Sequence, residues 1–171
     1  MLTKKMEKAL NEQINREMYS AYLYMSMSAH STSIGLPGFA NWFMVQYKEE
    51  MEHAMKIYDY VNSQGCKVKL MSIDEPISDF LDPMDMFQKT LKHEQFITKC
   101  INELVELSIN EKDHATQIFL QWFVTEQIEE EGNDNDIISK LELAGSKGNG
   151  LFMIDKELSA RVYNPPVNDN N

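Results

Sequence analysis

Between residues 39 and 61 an apolar helical stripe carries two ionisable residues within it. Phe39, Trp42, Phe43, Gln46, Glu50, His53, Ile57, Tyr60 and Val61 follow one another at steps of three and four, the spacing of a single α-helix face. Glu50 and His53 hold positions where a core takes apolar side chains. A carboxylate buried there without a partner is unfavourable by several kcal/mol even after relaxation, so it needs a cation beside it. Glu-x-x-His on a helix aims two ligands at one point, which makes a metal ion the expected partner. Taken alone, the motif equally describes a surface pair at i,i+3.

Repetition separates the two readings. An earlier stripe (Leu10, Ile14, Glu17, Ala21, Tyr24, Ser28) contains Glu17, and a later one (Phe87, Leu91, Glu94, Ile97, Ile101, Leu104) contains Glu94. A fourth stripe sets Gln127 and Glu130 among Phe119, Phe123 and Ile137. Glu17 and Glu50 are 33 positions apart, as are Glu94 and Gln127; Glu17 and His53 are 36 apart, as are Glu94 and Glu130. At the same offset of 77, Glu49 and Glu52 recur as Glu126 and Glu129. Two helical hairpins therefore present one ligand pattern twice.

The stripes and breakers predict an all-α chain. A first helix is expected from about Lys4 to Ser31 with Thr3 as its N-cap, and a second from about Pro37 to Gln64, antiparallel across the break at 33–38. Residues 66–82 lack helical period and are long for a bundle turn, so they suit a crossover that leaves the third helix (about Pro83 to Ile109) parallel to the second. A fourth helix starts after Asp113 and runs to about residue 144. Its Gly132-Asn-Asp-Asn-Asp136 patch is poor in helix formers by ~3 kcal/mol against alanine, so a kink or frayed turn is expected there unless packing overrides it. That patch lacks the glycine and glutamate spacing of a calcium loop. Glycines 145, 148 and 150 precede a short fifth helix within about 150–161, and 164–171 reads as a polar tail. The expected organisation is one domain, 1–163, built as a four-helix bundle with one long crossover.

Composition narrows the function. A content of 43% hydrophobic residues excludes a disordered chain, and a net charge of −11 excludes nucleic acid or an anionic membrane as partner. No apolar run reaches membrane-span length, and the amphipathic start is unlike a signal sequence. Cys66 and Cys100 form neither a CxxC nor a disulfide framework, which suits a cytoplasmic protein. Glu17, Glu50, Glu94 and Glu130 carry four negative charges, which two divalent ions neutralise. Oxygen ligands with one imidazole suit iron or manganese better than structural zinc. A dinuclear centre with Glu50 as bridge is the expected site.

Over nearly its whole length, from Leu10-Asn-Glu-Gln13 to Leu151-Phe-Met-Ile-Asp-Lys-Glu-Leu158, the sequence resembles the bacterial-type non-haem ferritins. The most specific segments are Glu49-Glu-Met-Glu-His53, Lys92-His-Glu94-Gln-Phe-Ile-Thr98 and Phe119-Leu-Gln-Trp-Phe-Val-Thr-Glu-Gln-Ile-Glu-Glu-Glu131. The resemblance implies a shell of twenty-four identical subunits that oxidises Fe(II) with dioxygen or hydrogen peroxide and stores it as ferric mineral. It implies a first iron on Glu17, Glu50 and His53, and a second on Glu50, Glu94 and Glu130. Gln127 then positions oxygen or water, and Tyr24 donates an electron or a hydrogen bond. Glu49, Glu126, Glu129 and Glu130 match a third iron site.

Departures from related branches refine the expectation. Bacterioferritins repeat Glu-x-x-His, whereas Glu130 stands in place of the second histidine, and Met51 at their haem-ligating position reads as packing; no haem is expected. The positions of the acidic threefold pore of animal ferritins fall on Gln117 and Leu120. His30, His93 and His114 read as surface or satisfied histidines, Trp42 and Trp122 as core aromatics, and Glu131 as solvated. A rubrerythrin-like peroxidase would need four clustered cysteines, and a DNA-protecting miniferritin lacks the fifth helix. A metal-buffering bundle without turnover is the rival of another class.

Overall fold

The computed structural model describes residues 2–145 and 148–165. Parts of the expected glycine linker (146–147) and tail (166–171) lie outside the described residues. Five helices follow in order: α1 Lys4–Ser33, α2 Pro37–Ser63, α3 Pro83–Asn110, α4 His114–Ala144 and α5 Asn149–Leu158. The described residues contain no strand. Side-chain caps set three of the starts, since Thr3, Asp82 and Asp113 each accept a backbone N–H from three residues further on.

Contacts of the 64–82 crossover fix the topology. Lys67 and Lys69 bond to Asn11, Ser72 to Asn15, and Ile77 to Ser26, while Phe80 lies against His30. The crossover thus travels the length of α1 from its start to its end. It delivers α3 to the end of the bundle where α2 began, and Phe87 packs there on Phe39 and Trp42. α2 and α3 are therefore parallel, as the length of the link implied. α4 returns antiparallel to α3, bringing Thr116 to Tyr60 near the far end of α2.

Two apolar clusters fill the bundle. One holds Leu23, Tyr24, Met27, Phe39, Phe43, Phe87, Ile137, Leu141 and the α5 residues Ile154 and Leu158. The other holds Met6, Leu10, Ile14, Ile57, Val61, Ile97, Ile101, Leu120 and Phe123. Leu120 is fully buried, so it belongs to this core and does not line a pore. Between the clusters the stripes turn polar at Glu17, Gln46, Glu50, His53, Glu94, Gln127 and Glu130, all buried. These residues form a waist across the middle of the bundle.

The Gly132–Asp136 patch forms an unbroken part of α4. Packing overrides propensity here, because the inward stripe continues through Glu130, Asp134, Ile137 and Leu141, all buried. The docking of α5 was not foreseen. Asp155 accepts the N–H groups of Gly38 and Phe39 at 2.8 and 3.1 Å, which caps α2 from a distant part of the chain while Leu36 provides no side-chain cap of its own. Gly38 makes that approach possible, since a Cβ there would lie 1.6 Å from the Asp155 carbonyl oxygen.

The same substitution at two glycines should act with opposite sign. Gly38→Ala forces α5 off α2 and should lower stability by about 1–3 kcal/mol. Gly132→Ala, in a helix interior with no atom near the added Cβ, should raise it by about 0.5–1 kcal/mol. Chemical denaturation of the two variants beside the parent measures both, and destabilisation by Gly132→Ala would contradict the open space seen there.

Candidate metal centre

Each of the four long helices contributes acids to the waist. α1 supplies Glu17, α2 supplies Glu50 and His53, α3 supplies Glu94, and α4 supplies Gln127 and Glu130; none is more than 5% exposed. Their stripes bring them inward for the same reason that they bury leucine and phenylalanine, so the folding of the bundle compels these charges to meet. Ligand atoms of Glu17, Glu50 and His53 lie within 4.8 Å of one another, and so do those of His53, Glu126 and Glu130. Nδ1 of His53 is 3.6 Å from Oε2 of Glu50. His53 thus stands between two groups of acids, each with the donor set of a divalent-cation site.

Neutral donors hold most of these carboxylates in place. Gln13 donates to Glu17 at 2.8 Å, Gln46 to Glu130 at 2.8 Å and Gln127 to Glu94 at 3.0 Å, while the Tyr24 hydroxyl donates to the other oxygen of Glu94. Oε2 of Glu17 and Oε1 of Gln46 are buried without a partner. Mutual repulsion adds to desolvation. Burial raises Glu50 well above the ordinary carboxyl range, and Glu94, Glu17 and Glu130 push it further. Burial also raises Glu94, against the lowering effect of Tyr24 and Gln127. Glu130 is pushed up to about 7, first by burial and then by Glu94. Burial raises the Tyr24 phenol well above its usual value, so it acts as a donor.

The residues expected to form a third site are arranged unequally. Glu126 joins His53 and Glu130, whereas Glu129 is exposed and Glu49 turns to Arg161, whose Nη2 donates to it at 2.6 Å. Trp42 is core, but Trp122 is half-buried beside His53, with Lys56 over its ring at 4.0 Å. His93 is a satisfied histidine, 2.8 Å from the Ser20 hydroxyl, and burial lowers it to about 4. Glu131 is half-buried and accepts from Thr98, rather than being fully solvated.

Three waist residues went unrecognised as parts of the site. Gln46 already stood in the α2 stripe, and its position four residues before Glu50 was the available signal. Gln13 is likewise four residues before Glu17. Asp134, read only as a poor helix former, is 1% exposed, and one of its oxygens has no partner. Burial, then Glu94 and Glu130, push it up to about 9. Its spacing from Glu130 and Ile137 placed it on the inward face.

Comparison with known proteins agrees with this geometry. A family model described as a ferritin-like domain matches residues 7–144. The chain is 45% identical over 156 residues to the bacterial non-heme ferritin of Campylobacter jejuni, covering 91% of this chain and 93% of that protein. It is 42% identical over 159 residues to the bacterial non-heme ferritin of Escherichia coli, covering 93% and 96%. An engineered closed form of the Archaeoglobus fulgidus ferritin superposes with a TM-score of 0.94 at 49% identity, over 96% of this chain and 100% of that one.

The raised acids give the metal-free chain an unusual pH dependence. Glu130 near 7 and Asp134 near 9 keep protons in the fold that their unfolded counterparts, at 4.5 and 3.8, have already lost. The unfolded state then binds fewer protons, so stability falls as pH rises through this window. Denaturation midpoints in EDTA should decline between about pH 6 and pH 9, and Zn(II) should flatten the decline by replacing the protons. A metal-free midpoint that climbs over that range would contradict the assignment.

Proposed function

The chain belongs to the ferritin family as a bacterial-type non-haem member, an iron-storage protein, and from that premise we propose that its waist is a ferroxidase centre. Iron is substrate and cargo here. The observation that carries the reading is the buried Glu17–Glu50–His53 cluster, with Glu94 and Glu130 close enough to raise Glu50. Glu17, Glu50 and His53 would take one Fe(II), and Glu50, Glu94 and Glu130 a second. Four carboxylates balance two divalent ions, and protons held on the empty acids are displaced as the ions enter.

Each Fe(II) gives one electron to dioxygen, and two protons complete hydrogen peroxide, leaving two Fe(III). Hydrogen peroxide can serve as oxidant in the same way. The chain's own residues arrange this. Glu50 is common to both ligand sets and would be the shared ligand. Tyr24 and Gln127 fix the Glu94 carboxylate, and Gln127 has a second role in orienting the oxidant or water. Gln13 and Gln46 steady the outer acids. Oxygen donors exchange more readily than thiolates, which suits ions that must leave. Glu49 and Glu126 are half-buried and Glu129 is exposed, and with Glu130 they form the third station through which iron passes.

The shell is a homo-oligomer of twenty-four subunits in this reading. The chain's formal net charge of −11 attracts cations and repels nucleic acid. None of the described helices is long and apolar enough to cross a membrane, and both cysteines are free thiols, which fits a cytoplasmic setting.

Stopped-flow absorbance after mixing metal-free protein with Fe(II) and air tests the reading. The parent should oxidise Fe(II) far above the background rate and keep the ferric product in solution. Glu50→Ala should lower the initial rate by more than about 100-fold, whereas Gln127→Leu, which removes a supporting donor, should lower it by roughly 10–100-fold. Background-rate oxidation by the parent would leave a metal-buffering bundle, and an unchanged rate in Glu50→Ala would refute the shared ligand.

A further inference from the structure

The arm that follows α5 reaches back over the third station. Asn41 on α2 donates to the carbonyls of Leu158 at 3.2 Å and Arg161 at 2.9 Å, which fixes the backbone of the arm. From there the Arg161 guanidinium lies 4.7 Å from the centre of the Trp42 ring and donates through Nη2 to Glu49. Trp42 and Glu49 are two turns apart on α2, so the arginine spans the helix from its anchor to the acid. Burial raises the Glu49 carboxyl, Arg161 and His53 oppose that rise, and the like charges of Glu126 and Glu129 add to it.

One polar group at this contact lacks a partner: Nη1 of Arg161 is buried and unbonded. A cavity of about 270 Å³, lined by Trp42, Asn133, Asp136, Ile137, Glu157 and Arg161 among others, opens beside the guanidinium and gives it room to turn.

We infer that Arg161 is the built-in counter-cation of the third metal station, and that an arriving metal ion displaces its guanidinium from Glu49 into the adjoining cavity. This rests on the proposal that Glu49 is a metal ligand. The exchange explains why Glu49 stands apart from the His53–Glu126–Glu130 group although it neighbours Glu50 in sequence. It also sets the affinity of the station low, because each ion must break an existing ion pair to enter. A weakly held outer ion is free to move on.

The inference predicts an effect on metal binding, read by calorimetric titration of Zn(II) into the assembled, metal-free protein. Arg161→Met keeps an aliphatic stem over Trp42 and removes the competing charge. With the pair only 22% and 27% exposed, the substitution should tighten the weakest class of Zn(II) sites by roughly fivefold or more. Anomalous scattering from a Zn(II)-loaded crystal should place the guanidinium away from Glu49. Glu49→Gln serves as the control and should abolish the weakest class. If it does so while Arg161→Met leaves the affinity unchanged, the competition is refuted and Glu49 remains a ligand. If Glu49→Gln removes no site, the underlying ligand reading fails, and this inference falls with it.

Discussion

Burial of mutually repelling carboxylates in the middle of an apolar bundle is the constraint to which the other features answer. Glu17, Glu50, Glu94, Glu130 and Asp134 are each almost wholly shielded from water, and they separate two apolar clusters that would otherwise form one continuous core. The fold tolerates them in two ways. Protons remain on acids such as Glu130 well above the usual carboxyl range. Glutamine amides at positions 13, 46 and 127, with the Tyr24 hydroxyl, supply hydrogen bonds where cations would supply charge. Such donors reduce the desolvation penalty without removing the repulsion, so affinity for cations persists in the folded chain. The two apolar clusters keep the helices in register while the waist is strained.

Much of this was readable from the chain, because the period of a helix is a local property. Stripes at steps of three and four located four of the helices, and breakers and caps such as Thr3 and Asp113 set several boundaries within two or three residues. The offset between hairpins identified the inward acids, since a repeat of polar residues inside apolar stripes has few other physical reasons. What stayed hidden depends on contacts between distant segments. No local signal tells a reader that Asp155 caps α2 or that Arg161 reaches Glu49, more than a hundred residues away. Gln13 and Gln46 were hidden differently. A glutamine on a helix has many uses, and only the carboxylate opposite its amide shows which one applies. The Gly132–Asp136 patch shows the limit of propensity as a guide, for its cost is overridden by Ile137 and Leu141 packing beyond it.

The fifth helix links the end of the bundle to its waist through a single element. Asp155 meets the positive end of α2, where free N–H groups favour an anion. A few residues on, the same arm brings Arg161 to the negative acid two turns into α2 from Trp42. α5 thus carries a negative group to the electropositive start of α2 and a positive group to its acidic middle. Each contact is favourable alone, and the shared backbone makes them cooperate. Gly38 permits the first contact by giving up its side chain, and Asn41 guides the second by bonding the carbonyls between them.

A site built in this way differs in kind from one made to retain its metal. Retention calls for ligands locked in one geometry by rigid neighbours and, for zinc, for thiolates that hold tightly. Here one imidazole is surrounded by carboxylates whose present partners are hydrogen bonds and protons, each replaceable by an ion. The same oxygen can accept from an amide when the site is empty and bind a cation when it is full, so filling and emptying need only small rotations of side chains. That exchangeability weakens every individual complex, and it is also what allows an ion to be passed from the buried waist to more exposed acids. On physical grounds, then, the carboxylate-rich waist suits an ion that exchanges better than one that is permanently captured.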